Sequence, residues 1–268
     1  MARTFTATSY LEINSAVLSS RPLSILCRFN PSALSGQMPV VSICDKDVAN
    51  HYVMVMLRGD SPGDPLQLQI RAGSDTPATN GFRLIDTANS ITAGVINTAV
   101  AVLNTTTDNF IVLNGDYANR GSTASTSTFP SNLDRSSIGR LGRPTPIALA
   151  SDCDIAEVVF LSGTAAVLSE AQIDAWHAGF TIEMISPGAW VERVPIMGNA
   201  SPELGLKGTS FTLTGTASKA AHPRVIEPWA RPGVKKIAAA GTTVARLVNG
   251  GLLHGGTLTS GRLVRQAA

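Results

Sequence analysis

The chain runs through many short stretches of alternating apolar and polar residues, each closed by Gly, Pro, Asn, Asp or Ser. Alternation with period two sets one face of a strand against a core and the other against water, while a compact apolar run fits a strand covered on both faces. On this basis strands are expected at 10–13, 23–29, 40–44, 52–57, 66–71, 82–85, 97–103, 110–113 and 155–161. Asn114-Gly115 offers the two positive-φ positions that a tight hairpin turn needs. Further strands are expected within 182–226, with Gly208 and Gly215 bounding an edge or closing strand.

One segment changes period. In "LSEAQIDAWHAGF" Ser169 can cap a helix, Gln172 can complete a capping box, and Gly179 offers a left-handed stop. Leu168, Ile173 and Trp176 fall on one side, which is expected to seal an edge or end of the strand framework. His177, near the negative end of this helix, reads as a capping or solvent-facing residue.

The C-terminal part is organised differently. Pro223, Pro228 and Pro232 mark a linker, and from Leu247 onward Val248, Leu253, Leu258 and Leu263 recur every five residues, with Gly251, Gly256 and Gly261 closing the first three units. Four such units cannot bury a core alone, so they are expected to form a small meander or to complete themselves against a neighbouring subunit. No acidic residue follows Glu227, whereas Arg231, Lys235, Lys236, Arg246, Arg262 and Arg265 do. The expected organisation is a β-sandwich over 1–226 and a linker with a basic, Gly-rich interaction arm over 227–268. Val248, Leu253, Leu258, Leu263, Arg262 and Arg265 are the expected docking positions.

Composition narrows the function. Charged residues are 15% and aromatics 5% of the chain, so Ser, Thr, Gly and Asn must supply much of the polar surface. The spread-out cations carry no interleaved aromatics, which argues against nucleic acid. No apolar run is long enough for a membrane helix, and the opening residues lack the apolar segment of a secretory leader, pointing to synthesis and folding in a cytoplasm. Cys27, Cys44 and Cys153 lie in apolar runs and are expected as buried thiols. The Ser/Thr run at 120–129 is expected as an exposed loop.

"SYLEINSAVLSSRPLSILCRFNP" at 9–31, "NFIVLNGDY" at 109–117 and "CDIAEVVFLSGTAAVLSEAQIDAW" at 153–176 resemble laminin-G-like, concanavalin A-like jelly-roll domains. The last pair carries most of the resemblance, because hairpin, strand and capped helix occur together. Phe29 departs from it, standing where such domains usually carry tryptophan. The resemblance implies an all-β antiparallel jelly-roll sandwich with one short capping helix. It is shared by lectins, polysaccharide hydrolases and bacteriophage structural proteins, so the fold leaves activity open.

Asp45, Asp47 and Asn50 are the calcium candidates, since oxygen ligands close together in a loop suit a hard cation; Lys46 lies among them and favours a solvated loop instead. Asp152, Asp154 and Glu157 approximate the acidic motif of retaining jelly-roll glucanases, with Asp in place of the first Glu. Sugar recognition needs an aromatic platform, for which Trp176, Trp190, Trp229, Tyr10, Tyr52 and Tyr117 are available. The leading expectation is a non-catalytic bacteriophage virion protein, a capsid decoration or a tail or fibre attachment component. It would dock to other virion proteins through its arm as a homo-oligomer, such as a trimer. The alternatives are a carbohydrate-binding module for a host glycan and, after it, a glycoside hydrolase.

Overall fold

The computed structural model describes residues 2–6, 8–59, 66–73, 82–86, 91–123, 128–144, 152–196, 201–220, 244–248, 251–259 and 262–265. Its strands are β1 (Ala2–Phe5), β2 (Tyr10–Ile13), β3 (Leu23–Pro31), β4 (Gln37–Cys44), β5 (His51–Arg58), β6 (Leu66–Ala72), β7 (Phe82–Asp86), β8 (Asn97–Leu103), β9 (Asn109–Leu113), β10 (Gly121–Thr123), β11 (Arg135–Ile138) and β12 (Cys153–Ser162). After the helices α1 (Glu170–His177) and α2 (Ile182–Ile185) come β13 (Trp190–Pro195), β14 (Glu203–Leu204), β15 (Ser210–Thr214), β16 (Ser218–Ala220), β17 (Val244–Val248), β18 (Gly251–Thr259) and β19 (Arg262–Arg265). The chain divides into two compact units, Met1–Val225 and Ile226–Ala268.

The first unit is an antiparallel jelly-roll sandwich. One sheet has the order β10-β9-β8-β3-β12-β1-β16, with β13 also paired to β12, and the other β14-β15-β2-β11-β4-β5-β6-β7. Inward side chains of both sheets, among them Phe5, Leu11, Ile25, Phe29, Val53, Val55, Ile111, Ile155 and Phe160, make the main core. Phe29 thus takes a fully buried place in that core.

The first sheet is also covered on its outer face, which explains why β3 and β8 read as compact apolar runs instead of alternating ones. Leu26, Val100, Val102, Phe110, Val112, Val159 and Leu161 pack there against Leu168, Ile173 and Trp176. The helix therefore seals this outer face, not an edge or end as its sequence leads one to expect. An edge seal would need only a narrow apolar stripe, whereas the outward residues of β3, β8, β9 and β12 supply a whole apolar surface that has to be covered. Gln172 accepts a bond from Ser169 N at 2.9 Å, the backward half of the capping box, and Gly179 has φ 101°. No described helix is long and apolar enough to cross a membrane.

A buried ion network pins this helix. Arg28 on β3 stacks on Trp176 at 3.6 Å and donates to Trp176 O at 2.8 Å, in the last turn of the helix, and to Phe180 O at 2.9 Å just beyond it. Its charge is balanced by Glu157, which also pairs with Arg193, and Arg193 in turn reaches both Glu183 oxygens at 3.1 Å.

The second unit is a three-stranded antiparallel meander, β17-β18-β19. Spacing of five is odd, so in a regular ladder successive repeat positions would alternate between faces. Instead Val244 pairs with Gly256 and Arg246 with Leu253, so β18 carries one extra residue between 253 and 256. That bulge restores the phase: Val248, Leu253, Leu258 and Leu263 fall on one face, with Arg265, and Arg262 falls on the other. The proline-rich connection with Trp229, and residues 124–127 of the Ser/Thr run, lie outside the described residues.

Candidate functional site

The residues suspected of holding calcium are engaged by the protein's own groups. Asp45 Oδ1 accepts the backbone N–H groups of Asp47 at 2.8 Å and Val48 at 3.0 Å, closing the loop after β4 on itself. Asp134, just before β11, completes a cluster in which one oxygen from each of Asp45, Asp47 and Asp134 lies within 4.8 Å of the others. The Lys46 ammonium pairs with both Asp47 and Asp134, the latter at 3.1 Å, and so supplies the positive charge itself. Its hydrogen bonds to Asp47 and Asp134 raise the Lys46 pKa. Burial pushes the Asp134 carboxyl up, but the bonds from Lys46 outweigh it and hold that pKa below its ordinary value. The Asn50 backbone carbonyl accepts Gly73 N at 2.8 Å.

The glucanase-like triplet is likewise committed elsewhere. Glu157 is 1% exposed, with one oxygen on Arg28 and the other on Arg193. Asp154 accepts from Thr4 Oγ1 at 2.6 Å and Asn30 Nδ2 at 3.5 Å, and Asp152 is exposed. The register of β12 against β3 slips between Ile155 and Glu157, so this strand does not carry the regular alternation that the acidic motif relies on. A carboxylate buried between two guanidinium groups has no open face for a sugar. The cysteines are buried, with the Cys44 thiol pushed up to about 12 and the Cys27 thiol raised further by burial, which keeps both as unreactive thiols.

Five of the six aromatic candidates can be placed, and four are covered. Trp176 lies under Arg28, Tyr10 under Arg140 at 3.6 Å and Trp190 under Lys207 at 4.0 Å, while buried Tyr52 donates to Gln69 at 3.0 Å. Tyr117 also has a cation over its ring, Arg120 at 4.2 Å, but it lines a cavity of about 320 Å³ at the β9–β10 edge of the first sheet.

Local sequence builds this cavity in three pieces. Asn114 (φ 53°) and Gly115 (φ 77°) make the expected tight turn, closed by Asp116 N donating to Leu113 O at 3.1 Å. The hairpin does not end there. Asp116 accepts Asn119 N at 3.2 Å and Nδ2 at 3.0 Å, and this second turn brings Tyr117 and Arg120 back over β9. Tyr117 meets Phe110 edge-on, with centroids 5.8 Å apart at 82°, and Arg120 lies over the Tyr117 ring at 4.2 Å while its Nη1 donates to Tyr117 O at 3.0 Å. The second piece is the turn between β8 and β9, where Asp108 Oδ2 accepts Asn104 Nδ2 at 2.6 Å. The third is Val167–Leu168, leading into α1.

Gly115 fixes where the hairpin sits. A Cβ at this position would stand 3.1 Å from His177 Cβ, so the turn lies flat against the end of α1. His177 Nδ1 is itself 3.0 Å from Thr98 Oγ1 on β8. His177 is therefore a solvent-facing residue that also anchors hairpin to helix. The result is a pocket with an apolar floor of Phe110, Tyr117 and Leu168 and a rim of Asp108, Arg120 and Ser122. Sequence reading put Tyr117 among the platform aromatics but missed Phe110, Asp108, Arg120 and Leu168. The available signal was that "NGDYANR" is too long for a two-residue hairpin and carries an Asp/Asn pair spaced for a second turn.

No family model matches the chain, and no curated protein matches it by sequence. Among solved structures, a protein of Bacteroides ovatus ATCC 8483 provisionally assigned to carbohydrate binding superposes with TM-score 0.55 at 12% identity, over 84% of this chain and 61% of its own. A mutant of the NanB sialidase of Streptococcus pneumoniae superposes with TM-score 0.50 at 14% identity, over 65% of this chain and 27% of the sialidase. The chain thus spans about a quarter of the sialidase and three fifths of the Bacteroides protein. At these identities the likeness establishes the fold alone, an antiparallel jelly-roll β-sandwich.

Proposed function

We propose that this chain is a non-catalytic carbohydrate-binding module that takes a sugar in the Tyr117 pocket. The observation that carries the reading is the pocket itself: a concavity of about 320 Å³ combining an aromatic and aliphatic floor with a rim of hydrogen-bonding groups. Sugars present apolar C–H faces and a girdle of hydroxyls, and sites for small polar ligands meet them with this division of labour. The fold shared with a protein provisionally assigned to carbohydrate binding supports it. The burial of Glu157 between two arginines weighs against hydrolysis through the acidic triplet.

A glycan array followed by calorimetry tests this. Binding is expected, with Tyr117→Ala weakening it at least tenfold while the far-ultraviolet circular dichroism stays unchanged. A blank array with and without calcium, or binding indifferent to Tyr117→Ala, would overturn the reading.

A second reading concerns the C-terminal unit. The bulge-corrected register that sets Val248, Leu253, Leu258 and Leu263 on one face favours attachment to other subunits or to virion proteins, the role first expected for this chain. The fold comparisons favour the glycan reading over a bacteriophage context. Truncation after Pro232 tests attachment: loss of a homo-oligomer by mass measurement supports it, and an unchanged mass speaks against it.

A further inference from the structure

We propose that the Tyr117 pocket selects a sugar bearing a carboxylate, with Arg120 as the group that receives it. This rests on the glycan-binding reading and adds the chemical class of the ligand.

Arg120 is exposed and its guanidinium is held in a fixed plane, stacked on Tyr117 at 4.2 Å and tied by Nη1 to Tyr117 O at 3.0 Å. Among the described residues it forms no ion pair with a carboxylate. A guanidinium offers five N–H donors in a rigid fork, and the bond to Tyr117 O uses one of them. The planar fork matches a carboxylate in a way no neutral hydroxyl can, and holding it in place beforehand lowers the entropy of pairing.

Asp108, the other charged group of the pocket, does not neutralise Arg120. Its Oδ2 is engaged by Asn104 Nδ2 at 2.6 Å and its backbone N–H by Thr105 Oγ1 at 2.9 Å, so it belongs to the turn between β8 and β9. The pocket therefore has a cationic part that lacks an acid and an anionic part that can accept hydrogen bonds from hydroxyls. A sugar with both a carboxylate and free hydroxyls, a sialic or uronic acid unit, satisfies the two together, with its C–H face on Tyr117 and Phe110.

The test compares matched acidic and neutral ligands on the full chain by calorimetry: sialyllactose against lactose, and trigalacturonic acid against its methyl ester. The acidic member of at least one pair should bind ten or more times tighter, and the gap should narrow as salt is raised. The pair that shows it identifies the sugar acid. Arg120→Gln should erase the gap by bringing the acidic member down to the affinity of its neutral partner, and Arg120→Lys should restore a part of it, because it returns the charge without the fork. Equal affinity within both pairs, or a preference that survives Arg120→Gln, overturns the carboxylate proposal and leaves the glycan reading standing. Absence of binding to every ligand overturns both.

Discussion

Two arginines lie over aromatic rings on the same side of the first sheet, and they do different things. Arg28 covers Trp176 at 3.6 Å, is buried, and is answered by Glu157 and the carbonyls of Trp176 and Phe180. Arg120 covers Tyr117 at 4.2 Å, is exposed, and is answered by one carbonyl. The stack is common to both, so it does not by itself signal binding. What separates them is whether the remaining donors have been used inside the fold. Where a carboxylate completes the set, the arrangement fastens α1 to the sheet; where none does, the donors remain for a ligand.

The largest effect is expected on the closed side. Glu157→Ala leaves Arg28 and Arg193 buried without their shared acid, and breaking a pair of this kind costs about 3–5 kcal/mol. For a domain of this size that lowers the melting temperature on the order of ten degrees. A melting temperature within two degrees of the parent would show that the network contributes little to holding the helix.

Gly115→Ala comes next and joins the two regions. It places a side chain at φ 77°, a conformation costing about 1–2 kcal/mol for a residue with a Cβ, and pushes that Cβ against His177. The hairpin should lift from α1, so both stability and glycan affinity should fall. Retained affinity would mean the pocket does not depend on this contact.

Arg120→Gln should change the melting temperature by no more than a degree or two, since exposed cation–π contacts contribute only about 0.5–1 kcal/mol. This is the opposite of Glu157→Ala, and comparable destabilisation by the two would remove the distinction drawn between the stacks.

Smallest of all are the effects at the Asp45, Asp47 and Asp134 cluster. Because Lys46 provides the cation, adding calcium or chelator should leave the melting temperature of the parent chain unchanged; a calcium-dependent rise would show a metal displacing the ammonium. Asp134 has a lowered pKa in the folded chain, so its contribution is complete above its ordinary value of 3.8 and disappears as pH falls through the folded value. Asp134→Asn should therefore lower neutral stability slightly and flatten the acid limb, the two chains converging in stability as pH falls below about 4.

Legibility in the sequence followed how local the determinants were. β3, β5, β8 and β12 announce themselves by apolar content, and α1 by its cap and stop, because each signal lies within a dozen residues. β11 gave no such signal. Its "RSSI" is Ser-rich, and it stands between β2 and β4 because Ser136 accepts Val17 N and donates to Ser15 O while Ser137 donates to Glu12, bonds across more than a hundred residues of chain. Glu157 looked like a catalytic carboxylate for the same reason, since its partners Arg28 and Arg193 are 129 and 36 residues away. The pocket draws on three turns that look like ordinary connections in isolation. Arg120 stands out only once the acids around it have been located. The five-residue repeat, by contrast, was visible early, but the bulge that gives it a common face was not.

On the proposed reading the sandwich takes sugar at the β9–β10 edge, while α1 and its flanking residues cover the outer face of β3, β8 and β12. Amide chemical-shift mapping while titrating a glycan selected from the array tests it most directly. Shifts should cluster at Asp108–Phe110, Tyr117–Ser122 and Val167–Leu168, with the Asp45–Asn50 loop and the Arg193 strand unmoved. Shifts centred on the Asp45–Asn50 loop or around Glu157, with the Tyr117 hairpin silent, would contradict it.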